Sequence, residues 1–425
     1  AQSGYTIQYD PEAYAIETKM IDDKKVIAVT GKTEQGLKRA VYRLILESKR
    51  TKTTLSFPAM NILESPWITQ REWALCPWSP DIVRLNFFNP DVDKRVDVYK
   101  YSEKQIEDYV AMFDWFGFNG CQLMETCANY AAFGSPEGFR SKQFQFAKSI
   151  KSLGQHLTHW VWAAKFNNYG WYDKTVVYKP EKNHTAFTDP RVKATFEKYY
   201  DGYSQMAPYV DMLIAHFYDP GELTNREDVF KYLELLNSKY KAKNPNIKFG
   251  IDFWATGDSE QFMQELINKG FQDALFLEMS IPFIYKEGQR EALHEAAKRE
   301  KIRLGMWGWY MTEYETDQMP KMHVNAQLLK NFYQDIKKNV FGIHPLEYWS
   351  EMEAYHILNI FSMYASAQLL WNPDRNTDDI LSEISEAIYG TENGQKMLQV
   401  LKLIEDVRSG PTWDTYWWTS KEYRL

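Results

Sequence analysis

Residues 212–222 read MLIAHFYDPGE. The opening MLIA has the length and composition of a fully buried strand. Pro220-Gly221 ends it, because no central strand continues through that pair. His216 and Tyr218 stand just before the break, and Asp219 and Glu222 stand at it. Acids at the carboxyl end of a buried parallel strand sit where barrels of alternating strand and helix place their chemistry. The plain alternative is that Asp219 caps a turn and Glu222 opens a helix whose dipole favours an acid. Recurrence of the pattern along the chain favours the first reading.

Outward from that stretch, further strands are expected at Gln70–Cys76, Gly120–Met124, Leu157–Ala163, Lys248–Phe253, Ala274–Leu277, Arg303–Trp307 and, most weakly patterned, Leu346–Trp349. Amphipathic helices lie between most of them. Ser102–Phe116 opens on a capping box, Ser102-x-x-Gln105, and then sets Ile106, Tyr109, Val110 and Phe113 on one face. Pro190–Met206, Arg226–Tyr240, Ser259–Lys269 and Glu291–Lys301 are similar. Such alternation over residues 67–372 predicts an α/β fold of the TIM (β/α)8 barrel type. An open doubly wound sheet is the rival, but no G-x-G-x-x-G turn follows the first strand. Residues 1–66 read as a small α/β domain of strands Tyr14–Lys19 and Val26–Gly31 and a helix Thr33–Glu47. Leu37, Ala40, Val41, Leu44 and Ile45 form one apolar face of that helix, expected to pack on its own sheet. The barrel end and the segment 373–425 read as helices Glu353–Leu370, Asp378–Tyr389 and Gly394–Arg408.

The chain has 425 residues, enough for one large barrel plus attachments. A net charge of −7 made of mixed signs advertises neither nucleic acid nor an anionic membrane as partner. No stretch reaches the ~18 apolar residues of a membrane span. Cys76, Cys121 and Cys127 match no zinc spacing and read as core thiols. The 15 Trp, 28 Tyr and 24 Phe are an excess that suits either a core or the apolar faces of sugar rings.

The loops after the expected strands carry the candidate site. Glu125 and Asn129 follow the second strand, Trp162 and Lys165 the third, and His216, Asp219 and Glu222 the fourth. Asp252 and Trp254 end the fifth, Glu278 the sixth, Trp307, Trp309 and Glu313 the seventh, Trp349 and Glu351 the eighth. Acids and tryptophans thus converge on one face. Paired carboxyl groups flanking a ring are what glycosidic hydrolysis needs. No P-loop, nucleophile elbow or H-E-x-x-H site is present, and no metal or cofactor is expected. His156, His159 and His216 do not fall at metal spacing. Asp252 has a structural alternative, a bond to a neighbouring Arg or Lys. Lys165 suits a substrate carboxylate or a loop acid.

The stretch EAYAIETKMIDDKKVIAVTGKTEQGLKRAVYRLIL, residues 12–46, resembles the small α/β domain that precedes the barrel in β-hexosaminidases and α-glucuronidases. SPWITQREW, residues 65–73, is similar to their junction into the first barrel strand. AYHILNIFSMYASAQLLWNPDRNTDDILSEISEAIYG, residues 354–390, is similar to the tail of the α-glucuronidase barrel. The hexosaminidase pair is an adjacent Asp-Glu, from which Asp219-Pro-Gly-Glu222 departs. By order along the chain, the α-glucuronidase resemblance makes Glu222 the general acid and Glu278 or Glu313 the base. It implies a carbohydrate substrate and a periplasmic or extracellular glycoside hydrolase. The preferred catalytic residues are Glu222, Glu278 and Asp219, with Trp162, Lys165, His216, Asp252, Trp254, Trp307, Trp309, Glu313 and Trp349 expected to bind substrate. Acetamido-assisted hydrolysis and a catalytically silent carbohydrate-binding barrel are the alternatives.

Overall fold

The computed structural model describes residues 10–50, 53–75, 102–125, 136–162, 190–216, 226–253, 259–279, 288–308, 324, 326–352 and 359–408. Short apolar runs buried on both faces become parallel strands, because each side of the strand has a hydrophobic layer to meet. Here they are β6 (Gln70–Leu75), β7 (Gly120–Glu125), β8 (His156–Trp162), β9 (Met212–His216), β10 (Lys248–Asp252), β11 (Leu275–Met279), β12 (Arg303–Gly308) and β13 (Leu346–Met352). They pair in chain order, and β13 closes on β6, giving a closed parallel barrel. Before it lie β1 (Tyr14–Ile21), β2 (Lys24–Gly31), α1 (Glu34–Glu47), the ribbon β3 (Lys49–Arg50) with β4 (Leu55–Ser56), and β5 (Asn61–Glu64). The surrounding helices are α2 (Glu103–Phe116), α3 (Pro136–Ser152), α4 (Pro190–Tyr203), α5 (Arg226–Lys241), α6 (Ser259–Asn268), α7 (Gln289–Glu300) and α8 (Ala326–Asn339). Helices α9 (Asn359–Trp371) and α10 (Thr377–Arg408) follow the last strand, and Gly390 kinks α10.

Strand alternation sorts the buried residues into two sets. Trp73, Cys121, Leu157, Leu213, Ile251, Phe276, Leu304 and Trp349 join the apolar layer shared with the helices. The alternate set lines the interior of the barrel. Trp160 of β8 and Trp307 of β12 lie on non-adjacent strands, yet their ring centroids are 5.6 Å apart across that interior. At the amino-terminal end the interior is plugged by a buried carboxylate. Glu72 Oε1 accepts from Gln70 Nε2 at 2.8 Å and Thr158 Oγ1 at 3.0 Å and meets His156 Nδ1 at 2.7 Å. Tyr348 donates its hydroxyl to Oε2 at 2.7 Å. Gly305 makes room for that tyrosine, since a Cβ there would stand 3.0 Å from Tyr348 Cβ.

The N-terminal sheet runs β2-β1-β5, antiparallel throughout. The helix face expected to pack on it does so in part, through Ala40 and Leu44, which join Tyr14 and Ile16 in one cluster. Leu37, Val41 and Ile45 are 44%, 41% and 56% exposed, whereas Gly36, Arg39 and Ala40 are buried. The helix is turned by Arg39. Its guanidinium holds Glu12 Oε1 at 2.7 Å and donates to the carbonyls of Asp114 and Phe118 at the end of α2. Glu12 Oε2 in turn pairs with Arg71 of β6 at 2.5 Å and accepts from Asn119 Nδ2 at 2.6 Å. Gly36 lets α1 close in, because a Cβ there would lie 2.6 Å from the carbonyl oxygen of Ala13. Arg71 and Asn119 stand at the starts of β6 and β7, so this unit is docked at the end of the barrel opposite the strands' carboxyl termini.

Candidate active site

β9 ends at His216 and β10 at Asp252, neighbours in the barrel, so both side chains reach the interior at its carboxyl end. His216 Nδ1 lies 2.9 Å from Asp252 Oδ2. The indole Nε1 of Trp160 donates to the same oxygen at 3.2 Å. The Trp160 and His216 rings pack at a tilt with 4.5 Å between centroids, and Trp307 closes the group with its ring 6.3 Å from that of His216. Trp160, Asp252 and Trp307 come from alternate strands, as the side chains of one barrel layer do. All four are buried, with Asp252 only 1% exposed. A carboxylate that accepts from an indole and an imidazole fixes the His216 tautomer with its proton on Nδ1, leaving Nε2 as the ring's second polar atom.

Of the residues singled out in the sequence, His216, Asp252 and Trp307 are therefore brought together. Among the described residues, Asp252 takes His216 and Trp160 as partners. Trp160 was passed over in favour of Trp162, two residues on and therefore of the same strand parity. The parity of Leu157 and Val161 in the helix-side core was the signal that could have found it. Trp162 ends β8, and its side chain is outside the described residues, as are Asp219, Glu222, Lys165, Trp254, Trp309 and Glu313.

Glu278 is a correction. It shares the parity of Phe276, which packs on the helices, and points away from the interior. It is fully buried between β11 and α7, with Oε1 2.5 Å from His294 Nε2 and Oε2 3.1 Å from Arg290 Nε. A carboxylate held behind the barrel wall cannot face a substrate across the mouth, so Glu278 is not the catalytic partner expected for Glu222. Trp349 is a second correction. Its ring lies in the helix layer, 4.9 Å from that of Tyr333, and it is wholly buried there. Glu351, two residues later, faces the same way and accepts from Tyr333 on α8 at 2.7 Å.

The histidines are dispersed. Of the three histidines singled out, His156 belongs to the Glu72 plug, His159 points outward to the Tyr240 hydroxyl at 2.6 Å, and His216 reaches the carboxyl end. Among the described residues no three histidine, cysteine or carboxylate side chains converge as a metal ion would require. None of the described helices is long and apolar enough to cross a membrane.

Neither a family model nor a curated protein matches the sequence. Solved structures do match in fold. A family 20 β-N-acetylglucosaminidase aligns with a TM-score of 0.54 at 11% identity, over 91% of this chain and 86% of its own. A family 115 4-O-methyl-α-glucuronidase with specificity for decorated arabinogalactans aligns at 0.54 and 13% identity, over 96% of this chain and 54% of its own. A family 89 glycoside hydrolase from Clostridium perfringens aligns at 0.54 and 12% identity, over 93% of this chain and 48% of its own. The present chain thus spans about half the length of the latter two. At these identities the likeness is one of fold: a closed (β/α)8 barrel shared with several glycoside hydrolase families, with a small sheet before it and helices after it.

Proposed function

We propose that this chain is a glycoside hydrolase working at the carboxyl end of its barrel, with Glu222 as general acid and Asp252 as the second carboxylate. The observation that carries the reading is the His216–Asp252 pair packed between Trp160 and Trp307. A polar pair buried on the barrel axis needs a purpose there, because its desolvation is not recovered by any apolar contact. Indole rings suit the C–H faces of a sugar, and a carboxylate beside them suits the positive charge of an oxocarbenium-like transition state. His216 ends β9 three residues before Asp219 and six before Glu222, so the chain delivers both acids directly after this strand end. The Asp219–Glu222 pair also admits acetamido-assisted attack, which would confine activity to N-acetylated sugars.

The test is hydrolysis of an aryl glycoside panel that includes uronosides and N-acetylglycosaminides. Glu222→Gln should lower turnover by ~10²–10⁴-fold on poor leaving groups and far less on nitrophenyl glycosides, which need less protonation. Asp252→Asn should damage both substrate classes. Equal loss on both classes in Glu222→Gln would remove Glu222 as the acid. Binding of sugars without hydrolysis, unchanged by either substitution, would make the barrel a carbohydrate-binding one.

A further inference from the structure

Gly308 and Glu351 are partners at the carboxyl ends of β12 and β13. The Glu351 side chain leaves the barrel on its outer side, where a Cβ on Gly308 would overlap both carboxyl oxygens. The two strand ends approach this closely only because position 308 lacks a side chain. Oε2 accepts from Tyr333 of α8 at 2.7 Å, from Ser366 of α9 at 3.2 Å and from the Trp349 indole of its own strand at 3.1 Å. Oε1 is buried with no hydrogen-bond partner among the described residues. The described groups that face this carboxyl are thus a phenol from α8, a hydroxyl from α9, an indole from β13 and a glycine from β12. None of them is a cation.

A buried carboxylate without a counter-charge is costly, and such a group stays protonated instead. Burial pushes Glu351 up to about 7, against the hydrogen bonds from Tyr333, Trp349 and Ser366, which favour the charged form. Ionisation therefore falls within the neutral range and places a charge in a buried site where none of the described groups is a cation. The residue before Gly308 is Trp307, which faces the opposite way, onto His216 and Trp160. A displacement of one end of β12 is transmitted to that ring through a single peptide link.

We propose that Glu351 is a proton-dependent positioning residue: uncharged, it clamps the ends of β12 and β13 together, and ionised, it loosens them and the Trp307 floor they carry. Its bearing on catalysis rests on the reading of that floor as the active site; the clamp itself does not. Hydrogen–deuterium exchange on the full chain between pH 5 and pH 9, corrected for the intrinsic rate, reads it directly. Peptides covering Arg303–Gly308 and Leu346–Met352 should show an opening constant that rises about tenfold from pH 6 to pH 8 when opening exposes the carboxyl. Glu351→Gln should abolish the rise. Ser366→Ala, which removes a donor that favours the charge, should move it to higher pH. The same pH dependence in wild type and Glu351→Gln would overturn the proposal. If Glu351→Gln does not fold, an unmoved midpoint in Ser366→Ala overturns it. No substrate enters the measurement, so its failure is separate from failure of the hydrolase reading.

Discussion

Replacing Glu12 by Gln keeps the shape of the side chain and removes the charge that joins the N-terminal unit to the barrel. In the wild type, burial alone would raise this carboxyl, but Arg71 and then Arg39 outweigh it and bring it from 4.5 down to about 2. At about 1.4 kcal/mol for each tenfold change in proton affinity, that drop corresponds to about 3 kcal/mol of folded-state stability at neutral pH. Breaking a buried ion pair by removing one partner costs about 3–5 kcal/mol, because the remaining charge is left uncompensated. Arg39 keeps a second carboxylate, Asp114, at 3.4 Å, whereas Glu12 is the acid against which Arg71 is paired. The lower end of the range, about 3 kcal/mol, is therefore expected. The sign follows from a depressed carboxyl: the contribution is full above pH 4.5 and is lost as the pH falls through about 2. Urea unfolding followed by circular dichroism should show Glu12→Gln weakened at pH 7, with the gap to wild type falling to about half near pH 3. A loss below about 1 kcal/mol at pH 7, or a gap that does not shrink with acid, would refute the assignment of Glu12 as the joint.

Glu278→Gln should lower the midpoint of unfolding by removing the partner of His294 and Arg290, while kcat of the folded fraction on nitrophenyl glycosides stays within about twofold, as expected for a group that makes no transition-state contact. A kcat loss without a change in the midpoint would return Glu278 to the mouth. Val41→Ser should change stability by no more than about 0.5 kcal/mol in the same urea assay, because the side chain is already in solvent; a loss of 2 kcal/mol or more would mean that α1 is turned the other way.

The barrel was legible because its strands are local facts. The MLIA run read as a buried strand lies within Met212–His216, and the expected Arg303–Trp307 lies within Arg303–Gly308. The eighth strand was read short, at Trp349, and runs to Met352 through a register shift opposite Leu304 and Gly305 that no residue announces. Helices α3 and α8 and strand β5 were not named in advance, although Leu329, Tyr333 and Ile336 sit on one buried face of α8. What the sequence could not supply was direction. In ALFLEM every position is apolar except the glutamate, so period two carries no record of which side is the interior, and Glu278 was assigned to the wrong one. For α1 the apolar stripe is only half used: Ala40 and Leu44 pack on the sheet, and a buried arginine turns Leu37, Val41 and Ile45 to solvent. Burying Arg39 against two carboxylates sets the helix rotation more firmly than three aliphatic side chains that solvent tolerates.

The hydrogen bond from Tyr348 to Glu72 joins residues 276 apart in sequence. At ribosomal speeds of about 5–20 residues per second, β6 waits roughly 15–60 s for the strand that completes it. During that interval one edge of β6 has no partner, and the carboxylate meant for the plug has no phenol to cap it. Synthesis rate and chaperone supply thus become determinants of yield, and a host that translates the segment between β6 and β13 slowly prolongs the time in which neighbouring chains can pair at that edge.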